Sequence, residues 1–179
     1  KNKTIIILGG SKGIGLEIGK QLKLLNAKII IISRTKPNLD VNFIKCDFEN
    51  LEEVKKISKQ VKKKYKKNWA VINCLSITLP SEKKIQSPEN FKKTININLV
   101  NHYFFLSEII NNISVGGSIL NISSIYGSLA FPNNPSYSSS KSGLNGLTRS
   151  LSFDLSKNKI RVNSLSAGYI KSNMTKKSY

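Results

Sequence analysis

Tyr137 and Lys141 stand four residues apart in Tyr137-Ser138-Ser139-Ser140-Lys141. On a helix that spacing puts both side chains on one face. A free phenol titrates near pH ~10 and exchanges its proton poorly at neutrality. An ammonium held nearby stabilises the phenolate and makes the exchange easier. A tyrosine so placed can give a proton to a developing alkoxide, or take one from an alcohol. Y-x-x-x-K alone is a common pattern, so its meaning depends on what the rest of the chain puts beside it.

The second chemical signal is Thr4-Ile5-Ile6-Ile7-Leu8-Gly9-Gly10-Ser11-Lys12-Gly13-Ile14-Gly15, an apolar run feeding a glycine-rich turn. Leu16 to Leu25 then reads as a helix. Strand, turn and helix form the context of a dinucleotide site. Gly9 and Gly13 let the chain turn tightly and approach a pyrophosphate, and Gly15 lets the helix pack on the strand. The helix start, with Ser11, Lys12 and Ile14, offers N–H groups to phosphate oxygens. The spacing is G-x-x-x-G-x-G rather than G-x-G-x-x-G.

Strands and helices alternate along the chain. Lys28 to Ser33 is a β-branched run without a polar break, as expected of a strand buried on both faces. It ends in Ser33-Arg34-Thr35, where an NAD site would place an acidic residue for the ribose hydroxyl. None is there. Arg34 and Lys12 are suited instead to a 2′-phosphate, which predicts NADP(H) over NAD(H). Asn42 to Cys46 is a short third strand, followed by Asp47-Phe48. Leu51 to Lys67 is a helix capped by Asn50, with Leu51, Val54, Ile57, Val61 and Tyr65 on one stripe. Ala70 to Asn73 is a fourth strand. Pro88 opens a long helical pattern from Glu89 to about Ile113, which Gly116-Gly117 break. Ser118 to Ile122 is a fifth strand, Phe131 to Pro135 a loop, Tyr137 to about Ser156 a helix, and Ile160 to Leu165 a sixth strand. Such alternation predicts an α/β fold with a parallel sheet covered on both faces. The 179 residues suit one domain, 1–179, with no repeat or linker.

A formal charge of +19 raises the question of a nucleic-acid or acidic partner. The excess is almost all lysine, alongside abundant asparagine and isoleucine, so A/T-rich codons are an equally good source. On Leu51 to Lys67 the lysines fall opposite the apolar stripe, as on a solvated helix face. Nucleic acid is therefore not the expected partner. Cys46 and Cys74 read as free thiols in a reduced compartment, and His102, the one histidine, as a packing residue. No metal cluster can be assembled, and no apolar run is long enough to span a membrane. The expected compartment is the cytoplasm, or an organelle if a targeting segment preceded Lys1.

Taken together, these motifs resemble the short-chain dehydrogenase/reductase family from Thr4 to about Met174, including members that act as 3-oxoacyl-carrier reductases. Gly9, Gly13 and Gly15 match its cofactor turn, Asp47 and Phe48 its adenine site, and Asn73 the start of its Asn-Asn-Ala-Gly. Asn98, Ser124, Tyr137 and Lys141 match its catalytic tetrad. Gly168, Ile170 and Ser172, after Ile160-Arg161-Val162-Asn163, match the segment that meets the nicotinamide carboxamide. The resemblance implies a Rossmann-type, doubly wound parallel sheet. It implies hydride transfer with NADP(H), preferred over NAD(H), to a carbonyl. In that scheme Ser124 bonds the carbonyl oxygen, Tyr137 donates the proton, and Lys141 tunes Tyr137 and holds the nicotinamide ribose, which makes Tyr137 and Lys141 cofactor-site residues as well. Asn98 bends its helix and holds a proton-resupplying water.

Three features depart from the family pattern. Cys74-Leu75-Ser76 replace Asn-Ala-Gly, Ala167 replaces a proline, and the sequence ends at Tyr179, short of the family's substrate-covering segment and last strand. The expected substrate is a ketone or a 3-oxoacyl thioester on an acyl carrier, which Lys157 and Lys159 would meet. The alternatives are an alcohol or sugar dehydrogenase and a non-catalytic dinucleotide- or nucleic-acid-binding protein. Helices 89–113 and 137–156 are expected to pair subunits into a homodimer or homotetramer, with Leu144, Leu147 and Leu151 as candidate contacts.

Overall fold

The computed structural model describes residues 3–83 and 85–170. Six parallel strands form one sheet: β1 (Thr4–Leu8), β2 (Lys28–Ser33), β3 (Asn42–Lys45), β4 (Asn68–Asn73), β5 (Ile113–Ser124) and β6 (Arg161–Ala167). Their order is β3-β2-β1-β4-β5-β6. The chain winds outward from β1 to β3, then returns to β4 on the other side of β1. That reversal opens a crevice at the carboxyl ends of β1 and β4. Gly9 follows β1 there, and Cys74 follows β4, its N–H donating to the Leu8 carbonyl at 2.8 Å.

The β-branched runs behave as their composition dictates. Ile5 to Leu8 and Ile29 to Ile32 are all buried, because helices cover both sheet faces. One core holds Ile6, Ile30, Val71 and Ile119 against α2 (Leu51–Lys64) and α4 (Asn101–Ile109), while the opposite face packs Ile7, Ile31 and Ile72. Val54 and Val61 of α2 are fully buried, each stabilising by roughly 1.5–3 kcal/mol. The exposed Lys55–Glu52 pair on the same helix adds under about 1 kcal/mol, so the apolar stripe, not the charges, fixes this helix. Asn50 caps it, accepting from Glu53 N–H at 3.1 Å. Trp69 packs against the second core with Lys3 Nζ 3.6 Å from its ring centre.

Two readings of the sequence need correction. The stretch from Glu89 is not one helix. It is α3 (Pro88–Ile95), a π-helical turn over Asn96–Val100, α4, and a short 3-10 turn over Ile110–Asn112. The apolar periodicity runs through the π turn, so one inserted residue leaves no compositional mark. Gly116 and Gly117 also lie inside β5, not between a helix and a strand. Ile113 already pairs with Asn68, and the register then shifts before Ala70 pairs with Ser118. Gly116 takes φ +77°, and a Cβ on Gly117 would stand 2.8 Å from the Trp69 carbonyl. The glycines serve this bulge.

Candidate active site

α1 (Gly13–Leu24) begins where the glycine turn ends. Gly9 has φ +77°, and a Cβ there would lie 2.9 Å from the Cys74 carbonyl carbon. A Cβ on Gly15 would lie 2.6 Å from the Gly9 carbonyl oxygen. Gly13 has φ +56° with open space before it. No side chain caps α1, which leaves its first N–H groups to an anion, as such a site requires. The residues present therefore fit a dinucleotide pyrophosphate.

The cleft has a volume of about 530 Å³. Its lining includes Gly9, Ser11, Lys12, Gly13, Ile14 and Gly15, together with Ser33, Arg34, Asp47 and Phe48. Ser124, Tyr137, Lys141, Gly168 and Ile170 line the same cleft. The sheet topology thus brings together residues from six separate segments. Asp47 is the one carboxylate in the lining among the described residues. Asp47 Oδ1 accepts from Glu49 N–H at 3.0 Å, which fixes the turn after β3. Phe48 is also a core residue, its ring 5.8 Å from that of Phe105. Ser33 is buried, its hydroxyl donating to the Thr35 carbonyl at 2.9 Å.

Two predicted residues do not line the cleft. Asn73 is fully buried behind it, where its Oδ1 accepts from Leu75 N–H at 3.0 Å and so shapes the turn after β4. Asn98 is fully buried in the π turn. Its Oδ1 accepts from Ile77 N–H at 2.8 Å, and its Nδ2 donates to the Ile77 carbonyl and to Ser140 Oγ, each at 3.0 Å. It clamps the cleft-lining Ile77 to α5 (Pro135–Asp154), one residue from Lys141. Ser172 lies outside the described residues. Cys74, Leu75 and Ser76, which depart from the family pattern, line the cleft, and so do Thr35, Cys46 and Ile77, which the sequence does not single out for it. Thr35 bonds Ser11 Oγ at 3.1 Å, a contact between segments that sequence spacing does not reveal.

Ser124 ends β5, and its Oγ accepts from Tyr126 N–H at 3.2 Å. That bond uses an acceptor site and leaves the hydroxyl proton to donate. Lys141 is 1% exposed, and its Nζ donates to the Ile122 carbonyl at 2.9 Å. Nζ lies 5.6 Å from the centre of the Tyr137 ring. Burial pulls Lys141 down to about 8, opposed in part by the Cys74 thiol. Burial pushes both cysteines up to about 12, Cys46 with help from Glu53 and Asp47. They are free, protonated thiols. His102 is wholly buried on α4, as a packing residue would be, and burial holds it down at about 4. Leu144 and Leu151 turn into the core. Phe91, Tyr103, Phe104 and Phe153 are instead the exposed apolar residues of α3, α4 and α5.

The comparisons agree with this geometry. The family model for short chain dehydrogenases matches residues 3–179. A 3-oxoacyl-(acyl-carrier-protein) reductase of Rickettsia typhi is 33% identical, across 98% of this chain and 76% of its own. Carbonyl reductase family member 4 of Danio rerio is 29% identical, across 97% of this chain and 78% of its own. Among solved structures, Thermoplasma acidophilum aldohexose dehydrogenase superposes with a TM-score of 0.91 at 27% identity, covering 99% of this chain and 71% of its own. A 4-hydroxyisoleucine dehydrogenase complexed with NADH superposes at 0.86 with 30% identity, covering 96% and 78%. The chain belongs to the short-chain dehydrogenase family, oxidoreductases that interconvert hydroxyl and carbonyl groups.

Proposed function

We propose that this chain is an NADPH-dependent reductase of ketones or 3-oxoacyl thioesters, with Tyr137 as general acid. The observation that carries the reading is the meeting of Ser124, Tyr137 and Lys141 with the glycine turn in one cleft. When bound, the cofactor supplies the hydride. Gly9, Ser11, Lys12, Gly13, Ile14 and Gly15 would hold its pyrophosphate. Asp47 and Phe48 would meet the adenine, and Gly168 and Ile170 the carboxamide. Arg34 and Lys12 favour a 2′-phosphate, since no carboxylate among the described residues follows β2 in the lining.

Ser124 donates to the substrate carbonyl oxygen where charge develops. Tyr137 delivers the proton to the same oxygen, and Lys141 favours its return to phenolate. Asn98 positions the helix turn that carries Lys141 through Ser140, and holds the Ile77 segment against it. Run in reverse, the same residues oxidise an alcohol or sugar, a reading favoured by the likeness to the aldohexose dehydrogenase. We further infer one dinucleotide-binding domain and a homodimer or homotetramer through α3–α4 and α5. Acyl-carrier substrates fit the similarity to the Rickettsia enzyme. Among the described residues no helix is long and apolar enough to cross a membrane, which fits a cytoplasmic enzyme.

The test is NADPH consumption by the purified full chain with acetoacetyl thioester, run beside NADH and beside NADP+ with D-glucose. Turnover with NADPH and the thioester is expected. Faster glucose oxidation would reverse the direction. Dinucleotide binding without turnover, or steep salt-dependent DNA binding, would replace the enzyme by a binding protein.

A further inference from the structure

Tyr137 belongs to a chain of four rings contributed by separate segments. Its ring meets Phe131 edge-on at 5.6 Å and 79°. Phe131 stacks on Tyr126 at 4.1 Å and 8°. Tyr126 meets Tyr169 edge-on at 6.1 Å, and their hydroxyls bond at 2.6 Å. Tyr137 lines the dinucleotide cleft while Tyr126, Phe131 and Tyr169 do not. The aromatic row therefore runs from the reacting phenol onto rings outside the cleft lining.

We infer that Tyr126, Phe131 and Tyr169 form the wall on which the substituent of the substrate carbonyl lies, so that the site selects ketones bearing an aryl ring or hydrocarbon chain over polyhydroxylated carbonyl compounds. The inference rests on Tyr137 being the proton donor. Stacked and edge-on rings offer apolar faces. The bond between the two phenols takes one of their two protons. The ring faces themselves offer no partner, so hydroxyls of a sugar would leave water for a surface with fewer partners, which is unfavourable.

The wall is also pre-formed. Ser81 N–H donates to the Asn133 carbonyl at 2.8 Å, and Asn134 N–H to that of Phe131 at 3.2 Å. Ser136 N–H donates to Gln86 Oε1 at 3.2 Å, and Gln86 Nε2 to the Leu79 carbonyl at 2.6 Å. Asn134 and Gln86 are buried. Phe131 is thus held in place before a substrate arrives, which reduces the ordering needed on binding.

A simpler role for the rings is to brace Tyr137. The two roles separate in kinetics. Phe131→Ala and Phe131→Leu are compared in the full chain, with NADPH and either acetophenone or hydroxyacetone. The acetophenone-to-hydroxyacetone ratio of kcat/KM should fall about 10-fold in Phe131→Ala, mainly through the KM of acetophenone. Phe131→Leu should recover part of it. Equal losses of kcat for both ketones would reduce Phe131 to a brace and overturn the inference, as would an unchanged ratio. If the wild type turns over no carbonyl compound, the reductase reading fails by itself. The wall is then read by saturation-transfer NMR of acetophenone on the NADPH-loaded chain. A transfer signal that disappears in Phe131→Ala upholds the wall, and a signal that persists overturns it.

Discussion

Lys141 Nζ lies 5.6 Å from the centre of the Tyr137 ring while donating to the Ile122 carbonyl at 2.9 Å. The second bond fixes the first relationship, because a lysine anchored to the end of β5 cannot swing to solvent. The charge therefore stays under the phenol, in a place where burial works against it.

That opposition is measurable. The pKa of Lys141 falls from 10.5 unfolded to about 8 in the fold. The unfolded chain holds this proton more tightly, so the charge destabilises the fold fully below about pH 8 and stops doing so as pH rises towards 10.5. Lys141→Met should raise stability at pH 7 by about 1–3 kcal/mol, less the lost bond to Ile122, and abolish turnover. Calorimetry from pH 7 to 10 should show the gain shrinking with pH. A destabilised variant would show that the charge is well satisfied where it lies.

His102 has the same sign at lower pH. Its pKa falls from 6.5 to about 4 through burial, which the Asn121 side chain offsets only in part. The unfolded state takes up the proton first. Stability should drop as pH falls from 6.5 to 4, by about 3 kcal/mol from this residue. In His102→Leu that part of the acid slope should vanish from urea melts taken across the window. An unchanged slope would place the acid sensitivity elsewhere.

The glycine turn separates packing from backbone strain. A Cβ on Gly15 would stand 2.6 Å from the Gly9 carbonyl oxygen, whereas one on Gly13 meets nothing within 4 Å. Gly13→Ala should cost about 1 kcal/mol, from positive φ alone. Gly15→Ala should cost about 1–3 kcal/mol by overpacking and weaken NADPH binding more than its neighbour does. Thermal melts and fluorescence titration give both orders, and a reversed order would contradict the cradle.

Arg34 addresses the choice of cofactor. If it holds the 2′-phosphate, Arg34→Ala should weaken NADPH about 10- to 100-fold and NADH far less. Equal losses for both nucleotides would mean that Arg34 has no special partner in the phosphate.

Much of this was legible in the sequence because the signals are local. The isoleucine runs gave buried strands, the Asn50 cap and the Leu51–Val61 stripe gave α2, and Tyr137 and Lys141 share a helix face by spacing alone. What escaped depends on distant contacts. The π turn at Asn96–Val100 keeps the apolar periodicity intact. The β5 bulge at Gly116 is set by pairing with Asn68 and Ala70, far back in the chain. Asn73 matched a cofactor motif, and only the fold shows that its Oδ1 accepts from Leu75 N–H. The aromatic row beyond Tyr137 joins rings that only the fold brings together.

The most direct test is Tyr137→Phe, with NADPH turnover of acetoacetyl thioester and NADPH binding measured on the same preparation. The phenol hydroxyl is the proton source in this account. Its removal should lower kcat by at least about 100-fold while NADPH affinity changes far less. Turnover within a few-fold of wild type would contradict it and place the proton donor on another residue.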